Sequence, residues 1–291
     1  MSDPRLPLRP HAEPAGRASR PRGWRRFRAP DSLLWLSTGV LLAFILIPLA
    51  AIFLRGVEDQ QLIRPLDDPL VQDALALSLV TTAISLGLSV ALGTPAAYLL
   101  ARHRFRGKAV VSTLIDLPMV LPPAVAGIAL LIAFGRRGVL GPALSDYLGV
   151  ELPFTLAAVV IAQTFVAMPL YIRSARAGFQ TIDEDYLQIA ATMGLSRLTI
   201  FRTITLPLAL PALISGAVLT WARALGEFGA TIMFAGNFAG RTQTMPLAIY
   251  QSLEGGDLST AIALSGILIA VSFTVLIIFQ VLTRTSPETA R

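Results

Sequence analysis

The sequence predicts an all-α integral membrane protein with six transmembrane helices, and three observations support this fold class. Of the 291 residues, 54% are hydrophobic and only 14% are charged, with a mean hydropathy of +0.66, whereas soluble domains carry about 25% charged residues. The apolar residues form runs long enough to cross a bilayer, which requires about 20 residues in a helix. Lys and Arg are divided unevenly between alternate loops, as is typical of multi-pass proteins.

Six apolar segments follow one another and are separated by polar loops. Their predicted bounds are 33–54, 74–100, 109–134, 154–172, 208–234 and 258–282. Residues 1–30 are rich in Pro and Arg and nearly lack large aliphatic side chains, so we expect a disordered basic tail. The chain is therefore divided into this tail, a first transmembrane helix with its outer loop at 31–71, a core at 72–282 and a second tail at 283–291.

The distribution of basic residues predicts the orientation of the chain. Eight Lys or Arg residues lie in 1–30, four in 101–108 and four in 173–207, whereas the loops on the other side together hold five. Because positively charged loops remain on the cytoplasmic side, we expect both termini and the segment 181–207 to lie in the cytoplasm.

The composition also argues against several classes of site. The chain contains no cysteine, which excludes disulfides, thiolate metal ligands and cysteine nucleophiles. Its two histidines, His11 and His103, lie in the tail and in a short basic loop, so we expect neither a metal site nor a catalytic residue. No G-x-x-x-x-G-K-[ST] motif is present, and any ATP must therefore be bound by a partner. The net charge of +6 reflects the basic tail and loops rather than a nucleic-acid surface.

The longest amphipathic segment lies between the fourth and fifth apolar runs, at 181–207. The pattern Thr181-x-x-Glu184 is typical of a capping box and predicts the start of a helix. Gly194 predicts a left-handed stop, and Ser196 can cap a second short helix that runs to Pro207. The sequence thus predicts two short helices joined by a glycine bend.

This segment resembles the cytoplasmic loop signature of ABC-transporter permeases, E-A-A-x-x-x-G-x9-I-x-L-P. Ala190, Gly194 and Ile204-x-Leu206-Pro207 match, whereas Gln188 replaces the usual Glu and Ile189 the first Ala. In that family the loop forms a coupling helix that sits in a cleft of the cytoplasmic ATPase; an ordinary surface helix-turn-helix is the alternative. The positions that we assign to the coupling loop are Thr181, Glu184, Tyr186, Gln188, Ala190, Ala191, Gly194, Ser196, Ile204, Leu206 and Pro207.

The third and fifth apolar runs carry features that predict a translocation path. Irregular backbone at membrane depth persists only where it is buried in protein or lines a cavity. Arg223 and Glu227 lie four residues apart and should share a helix face, either along the path or as a self-neutralising pair against a neighbouring helix. Asp116 either faces the path or caps a helix that restarts at a proline, and Gln163 is expected to make an interhelical hydrogen bond. The residues that we assign to the path or its gate are Asp116, Pro118, Pro122, Pro123, Arg223, Gly226, Glu227 and Gly229.

A second resemblance concerns the substrate. Residues 116–141 and 226–250 resemble the corresponding stretches of molybdate permease subunits. The resemblance implies a type I ABC importer in the bacterial inner membrane, built from a permease homodimer, two ATPase subunits that bind ATP and Mg²⁺, and an outer molybdate-binding protein. Arg136, Arg137 and Arg241 on the outer loops would then dock the binding protein, unless they are simply solvated.

Several alternatives remain open from the sequence. Sulfate and thiosulfate permeases share the Gly226–Gly229 core, and tungstate has the same size and charge as molybdate. A channel without an energy source would not need the coupling-loop signature. A membrane-embedded enzyme would need converging His, Ser or carboxylate groups inside the spans, where Asp116, Arg223 and Glu227 are the candidates.

Overall fold

The computed structural model describes residues 31–58 and 68–284, and within them the regular structure is entirely helical. The chain divides into two units, 1–49 and 50–291. The helices are α1 (Asp31–Glu58), α2 (Pro69–Arg102), α3 (Lys108–Val120), α4 (Pro123–Phe134), α5 (Gly141–Leu148), α6 (Leu156–Gln180), α7 (Glu184–Thr192), α8 (Arg197–Ile200), α9 (Leu206–Leu225), α10 (Gly229–Ala235), α11 (Met245–Glu254) and α12 (Leu258–Arg284), with a π-helical turn at Phe201–Thr205.

Helix α1 contains the first predicted span. Its apolar portion, Ser32–Gly56, comprises 25 residues and is long enough to cross a membrane. The predicted tails, and most of the loop that follows α1, lie outside the described residues.

Three long helices form the centre of the second unit, and their relative directions follow from side-chain contacts. Thr164 on α6 bonds to Ser85 on α2, and seven residues further along α6, Tyr171 bonds to Thr94. Both pairings advance together, so α2 and α6 run in the same direction. Helix α9 runs in the opposite direction, because Ser174 bonds to the carbonyl of Ala212 and the earlier α6 residue Tyr171 faces the later α9 residue Gly216.

The parallel arrangement of α2 and α6 determines how the third apolar run crosses the membrane. The chain must return to the other side between these helices, and α3 and α4, bent by 115° at their junction, supply that crossing. The loop 103–107 and the segment 181–196 therefore lie on the same side of the unit. Five long helices and this bent pair make six crossings within the described residues, as predicted.

The break in the third run lies later than one of its prolines. Pro118 is inside α3, which continues to Val120, and the helix ends at Leu121 immediately before Pro122 and Pro123. The expectation that a helix restarts at Pro118, capped by Asp116, was wrong. The adjacent pair of prolines removes two consecutive backbone donors, which explains why the helix breaks there.

The fifth run was predicted as one helix and is instead two. Helix α9 ends at Leu225, and α10 begins at Gly229 after a three-residue break. Two shorter helices were also missed in the loops on the far side, α5 and α11, and α6 extends eight residues beyond its predicted end. Asp257 precedes α12, and hydrogen bonds from Thr260 and Ser259 hold the pKa of its exposed carboxyl below the usual value.

Small residues allow α6 and α9 to approach closely. A Cβ added at Gly178 would lie 2.4 Å from the Cβ of Ala212, and one added at Gly216 would lie 2.8 Å from the Cβ of Ser174. Neither neighbour is the flexible end of a long side chain, so the backbones themselves would have to separate.

We predict that Gly178→Ala destabilises the protein, because overpacking of this kind costs about 1–3 kcal/mol. Gly87→Ala is the matched control: Gly87 also lies inside a long helix, but a Cβ there meets no atom within 4 Å. The control should be neutral or stabilising by about 0.5–1 kcal/mol. Thermal unfolding in detergent measures both, and equal melting temperatures would contradict the packing described.

Candidate functional site

Helix α7 begins two residues later than the capping box predicted. Its N-cap is Asp183, whose carboxylate accepts a hydrogen bond from the amide of Asp185 at 3.1 Å. Thr181 instead closes α6, with its hydroxyl donating to the carbonyl of Gly178 at 2.8 Å. The predicted cap at Thr181 was wrong because α6 continues through Gln180.

The glycine bend has the predicted conformation. Gly194 adopts φ +85°, and the amide of Leu195 returns to the carbonyl of Ala190 at 3.2 Å. Ser196 then caps α8 by accepting from the amide of Thr199 at 3.2 Å. The chain therefore bends at Gly194 between α7 and α8.

Helix α8 does not end at Pro207, as the sequence had predicted. It passes through the π turn directly into α9, where the amide of Leu206 bonds to the carbonyl of Phe201. Pro207 has no amide hydrogen for the carbonyl of Thr203, so the regular α-helical ladder is interrupted at this point. Ile204, Leu206 and Pro207 consequently lie in one helical rod that continues into the fifth span.

A hydrogen bond and an aromatic cluster attach this helix pair to the membrane core. Arg102 at the end of α2 donates to the carbonyl of Ile182 at 2.9 Å. The ring of Tyr98 lies 5.5 Å from that of Phe179 and 5.1 Å from that of Phe201. These rings belong to α2, α6 and the π turn, so one aromatic cluster joins the base of the helix pair to the core helices.

The outward face of α7 is apolar and unusually exposed. Tyr186, Ile189 and Met193 are 61%, 58% and 76% exposed. They line a groove of about 400 Å³ that continues to Ile204 and Leu208. On the opposite flank, Glu184, Gln188 and Ala191 line a groove of about 890 Å³ against α2 and α8. The predicted coupling residues are thus divided between two flanks of one short helix.

The two broken spans meet each other. A Cβ on Gly229 would lie 2.6 Å from the Cβ of Pro123, and one on Gly127 would lie 2.7 Å from the carbonyl oxygen of Ala230. The start of α4 therefore packs directly against the start of α10. Pro123 and Gly229 are brought together, whereas Pro118 belongs to the preceding helix.

A buried carboxylate occupies the break between α9 and α10. Glu227 is 1% exposed, and its Oε1 accepts from the amide of Ala230 at 2.8 Å. Its Oε2 lies 2.7 Å from Nη1 of Arg223, whose side chain is 35% exposed. The two residues do not share a helix face, because Glu227 follows the end of α9 at Gly226. The carboxylate both caps α10 and neutralises the arginine, which is the self-neutralising arrangement.

Asp116 has a partner that sequence reasoning missed. Its Oδ1 lies 3.6 Å from Nε of Arg173 on α6, and the neighbouring Arg176 donates to Ser112 on α3 at 2.7 Å. The only signal in the sequence was two arginines near the end of a predicted span. Asp116 therefore joins α3 to α6 rather than capping a helix.

Several buried polar atoms have no hydrogen-bond partner among the described residues. Among them are Oε1 of Gln163 and the hydroxyls of Thr220, Thr231 and Thr244. The expected interhelical bond of Gln163 was therefore wrong for its oxygen. A dry, unpaired polar group costs free energy, so we expect these atoms to bond to buried water.

The three outer-loop arginines lie on the side opposite α7. Arg136 forms an ion pair with Glu151, while Arg137 and Arg241 are exposed. The loop before α11 is held by amide bonds that sequence reasoning did not single out, from Gln243 and Asn237 to the side-chain oxygen of Gln251. No group of three or more His, Cys, Asp or Glu that could hold a metal ion occurs within 31–58 and 68–284.

Comparisons with known proteins identify relatives of the chain. The family described as "Binding-protein-dependent transport system inner membrane component" matches residues 89–285. The molybdenum transport system permease protein ModB of Mycobacterium tuberculosis is 46% identical over 231 residues, which are 79% of this chain and 86% of the relative. ModB of Escherichia coli is 42% identical over 227 residues, covering 77% of this chain and 98% of the relative. The molybdate/tungstate permease protein WtpB of Thermococcus kodakarensis is 39% identical over 196 residues, covering 67% and 74%.

Solved structures share the fold at low sequence identity. A bacterial ABC transporter involved in the import of alginate superposes with a TM-score of 0.72 at 15% identity, covering 89% of this chain and 96% of that one. The inward-facing methionine transporter MetNI gives a TM-score of 0.60 at 18% identity, covering 75% and 97%.

We predict an asymmetry between the two members of the buried pair. Arg223→Gln leaves an uncompensated carboxylate at a 1% exposed position and should cost about 3 kcal/mol. Glu227→Gln should cost only about 1 kcal/mol, because the amide still accepts from Ala230 and the long arginine can reorient. Thermal unfolding of the two variants decides this, and an equal or reversed order would contradict it.

Proposed function

The chain belongs to the family of binding-protein-dependent transport system inner membrane components, and on that premise we propose that it is the permease subunit of an ATP-driven molybdate importer. Its proposed setting is the bacterial inner membrane, with both termini and α7 in the cytoplasm. Two copies of the permease would combine with two ATPase subunits, which bind ATP and Mg²⁺, and with an outer molybdate-binding protein.

The observation that carries this proposal is the mechanical connection of α7. A short exposed helix with an apolar outward face is attached, through Arg102 and the Tyr98–Phe179–Phe201 cluster, to helices that lead to both broken spans. An ordinary surface helix would not require this attachment. A channel without an energy source would have no use for an exposed apolar docking face, which costs free energy in water.

The proposed mechanism is alternating access. ATP binding closes the ATPase dimer and draws the two α7 helices of the permease dimer together. Because α7 is joined to α8 by the Gly194 bend and α8 is continuous with α9 through the π turn, α9 tilts and shifts the contact between the starts of α4 and α10. The path then opens outward to accept the anion, and hydrolysis returns it to the inward-open state.

The membrane interior is suited to passing an anion without holding it. Glu227 neutralises Arg223, so this pair provides no net positive charge for an oxyanion to bind tightly. The unpartnered polar atoms of Gln163, Thr220 and Thr231 offer weak, neutral hydrogen bonding instead. Selectivity would then rest mainly with the binding protein, for which Arg136, Arg137 and Arg241 on the outer side form the proposed docking positions.

The proposed substrate rests on the relatives named for molybdenum transport. Tungstate is the second candidate, because the Thermococcus relative is named for both anions. Sulfate is the remaining oxyanion of the same charge that a test must separate from these two.

Transport by the full complex in proteoliposomes tests the substrate. Uptake of labelled molybdate should require ATP, the ATPase and the binding protein, and excess tungstate should compete while equal sulfate should not. Competition by sulfate at concentrations similar to molybdate would assign the chain to sulfate instead. Uptake without ATP would remove the importer proposal altogether.

We predict that Gly194→Val uncouples ATP hydrolysis from uptake. A Cβ at this position meets no atom within 4 Å, so the obstacle is the φ of +85°, which a β-branched residue resists. Gly194→Asn is the matched control, since Asn tolerates the left-handed region. Uptake per ATP hydrolysed should fall in the Val variant and persist in the Asn variant; normal coupling in the Val variant would refute the role of the bend.

A further inference from the structure

The larger groove beside α7 is lined by apolar and basic side chains as well as by three of the coupling-loop positions. This α2–α8 groove, of about 890 Å³, lies between the last turns of α2, one flank of α7, and α8. Along α2 it runs from Thr94 to His103, a distance of about 13 Å in a helix. It is therefore long enough to hold a headgroup together with the first part of an acyl chain.

The groove changes character along its length. Its walls include Leu99 and Leu198, which are 47% and 58% exposed. The apolar membrane span of α2 ends at Arg102, so Leu99 lies within the span and His103 just beyond it. One end of the groove is consequently suited to hydrocarbon and the other to water.

Basic side chains from two separate helical segments converge on the polar end. Arg102 and His103 come from the end of α2, and Arg197 from the start of α8. Arg102 uses one nitrogen to hold Ile182, while its Nε has no hydrogen-bond partner in the described part of the chain. Arg197 and His103 form no ion pair with any described carboxylate, and Glu184 is the acidic residue among the lining side chains.

The surrounding loop adds to the positive potential. Arg104, Arg106 and Lys108 follow directly and are basic, and the first two are exposed. Basic clusters immediately next to a transmembrane helix, and basic pockets between such helices, attract anionic lipid headgroups.

We propose that the α2–α8 groove binds one anionic phospholipid. Its phosphate lies among Arg197, His103 and Arg102, and the first part of an acyl chain lies along Leu99 and Leu198. A free phosphate would satisfy the cations but leave the exposed apolar walls uncovered. The lipid would contact both α2 and α8 and thereby stabilise the position of α7 between them. Because α7 is the proposed contact with the ATPase, ATP hydrolysis by the complex should depend on anionic lipid.

The test uses the purified complex of permease and ATPase, washed and examined by native mass spectrometry for retained phosphatidylglycerol. The variant His103→Gln/Arg197→Gln removes two basic side chains from the groove and should reduce retention by about tenfold. The control Arg104→Gln/Arg106→Gln removes the same number of side chains from the loop, outside the groove, and should stay within about twofold of the wild type. The single variant Arg197→Lys keeps the charge and the native His103, and it should retain the lipid as the wild type does.

A second measurement compares ATP hydrolysis in nanodiscs of phosphatidylglycerol and phosphatidylcholine. The groove variant should lose the stimulation by phosphatidylglycerol, and the loop variant should keep it. Equal loss of lipid in both variants would overturn the proposal, because the effect would then be general surface charge. Displacement of the lipid by millimolar inorganic phosphate would assign the groove to a free anion. Loss of the ATPase subunit from the groove variant, with the lipid still retained, would assign the groove to the ATPase.

Discussion

Backbone groups within a bilayer have no water to bond with, and this constraint governs the core of the protein. Two helices are broken inside the membrane, and each break is buried against the other, with Pro123 on one side and Gly229 on the other. The carboxylate of Glu227 supplies a bond to the amide of Ala230 that the interrupted helix cannot make. Helix α6 also packs against both α4 and α10, so the least regular backbone is covered by a regular helix.

A second consequence concerns how force reaches that junction. Helix α9 continues from α8 through the π turn and ends at the break. One continuous helical segment therefore joins the surface proposed to contact the ATPase to the junction in the core. Helix α6 lies alongside at the close distance that Gly178 and Gly216 permit. Helix α9 is thus closely packed on one side and is followed at its far end by the break that Glu227 caps.

Features that depend on local sequence were predictable. The six crossings followed from apolar length and loop charge, and the bend at Gly194 followed from the requirement for positive φ. The break after Leu225 was not predictable by hydropathy, because the short polar interval at Gly226–Glu227 is flanked by apolar residues on both sides.

Contacts between distant residues were not accessible either. The pairing of Asp116 with Arg173 and the attachment of Ile182 by Arg102 join residues that only the packed structure brings together. The cap of α7 was misplaced for a related reason: α6 extended past its apolar portion, which hydropathy alone does not reveal.

The π turn at Phe201–Thr205 has a geometric consequence of its own. Such a turn contains one residue more than the α-helical turn it replaces. Converting it to a regular turn would twist the segment before it by about 100° about the helix axis and slide it by about 1.5 Å. The permease thus has one extra residue at the start of α9. Its loss from the turn would rotate the exposed helix pair about the helix axis while the membrane span itself stays intact.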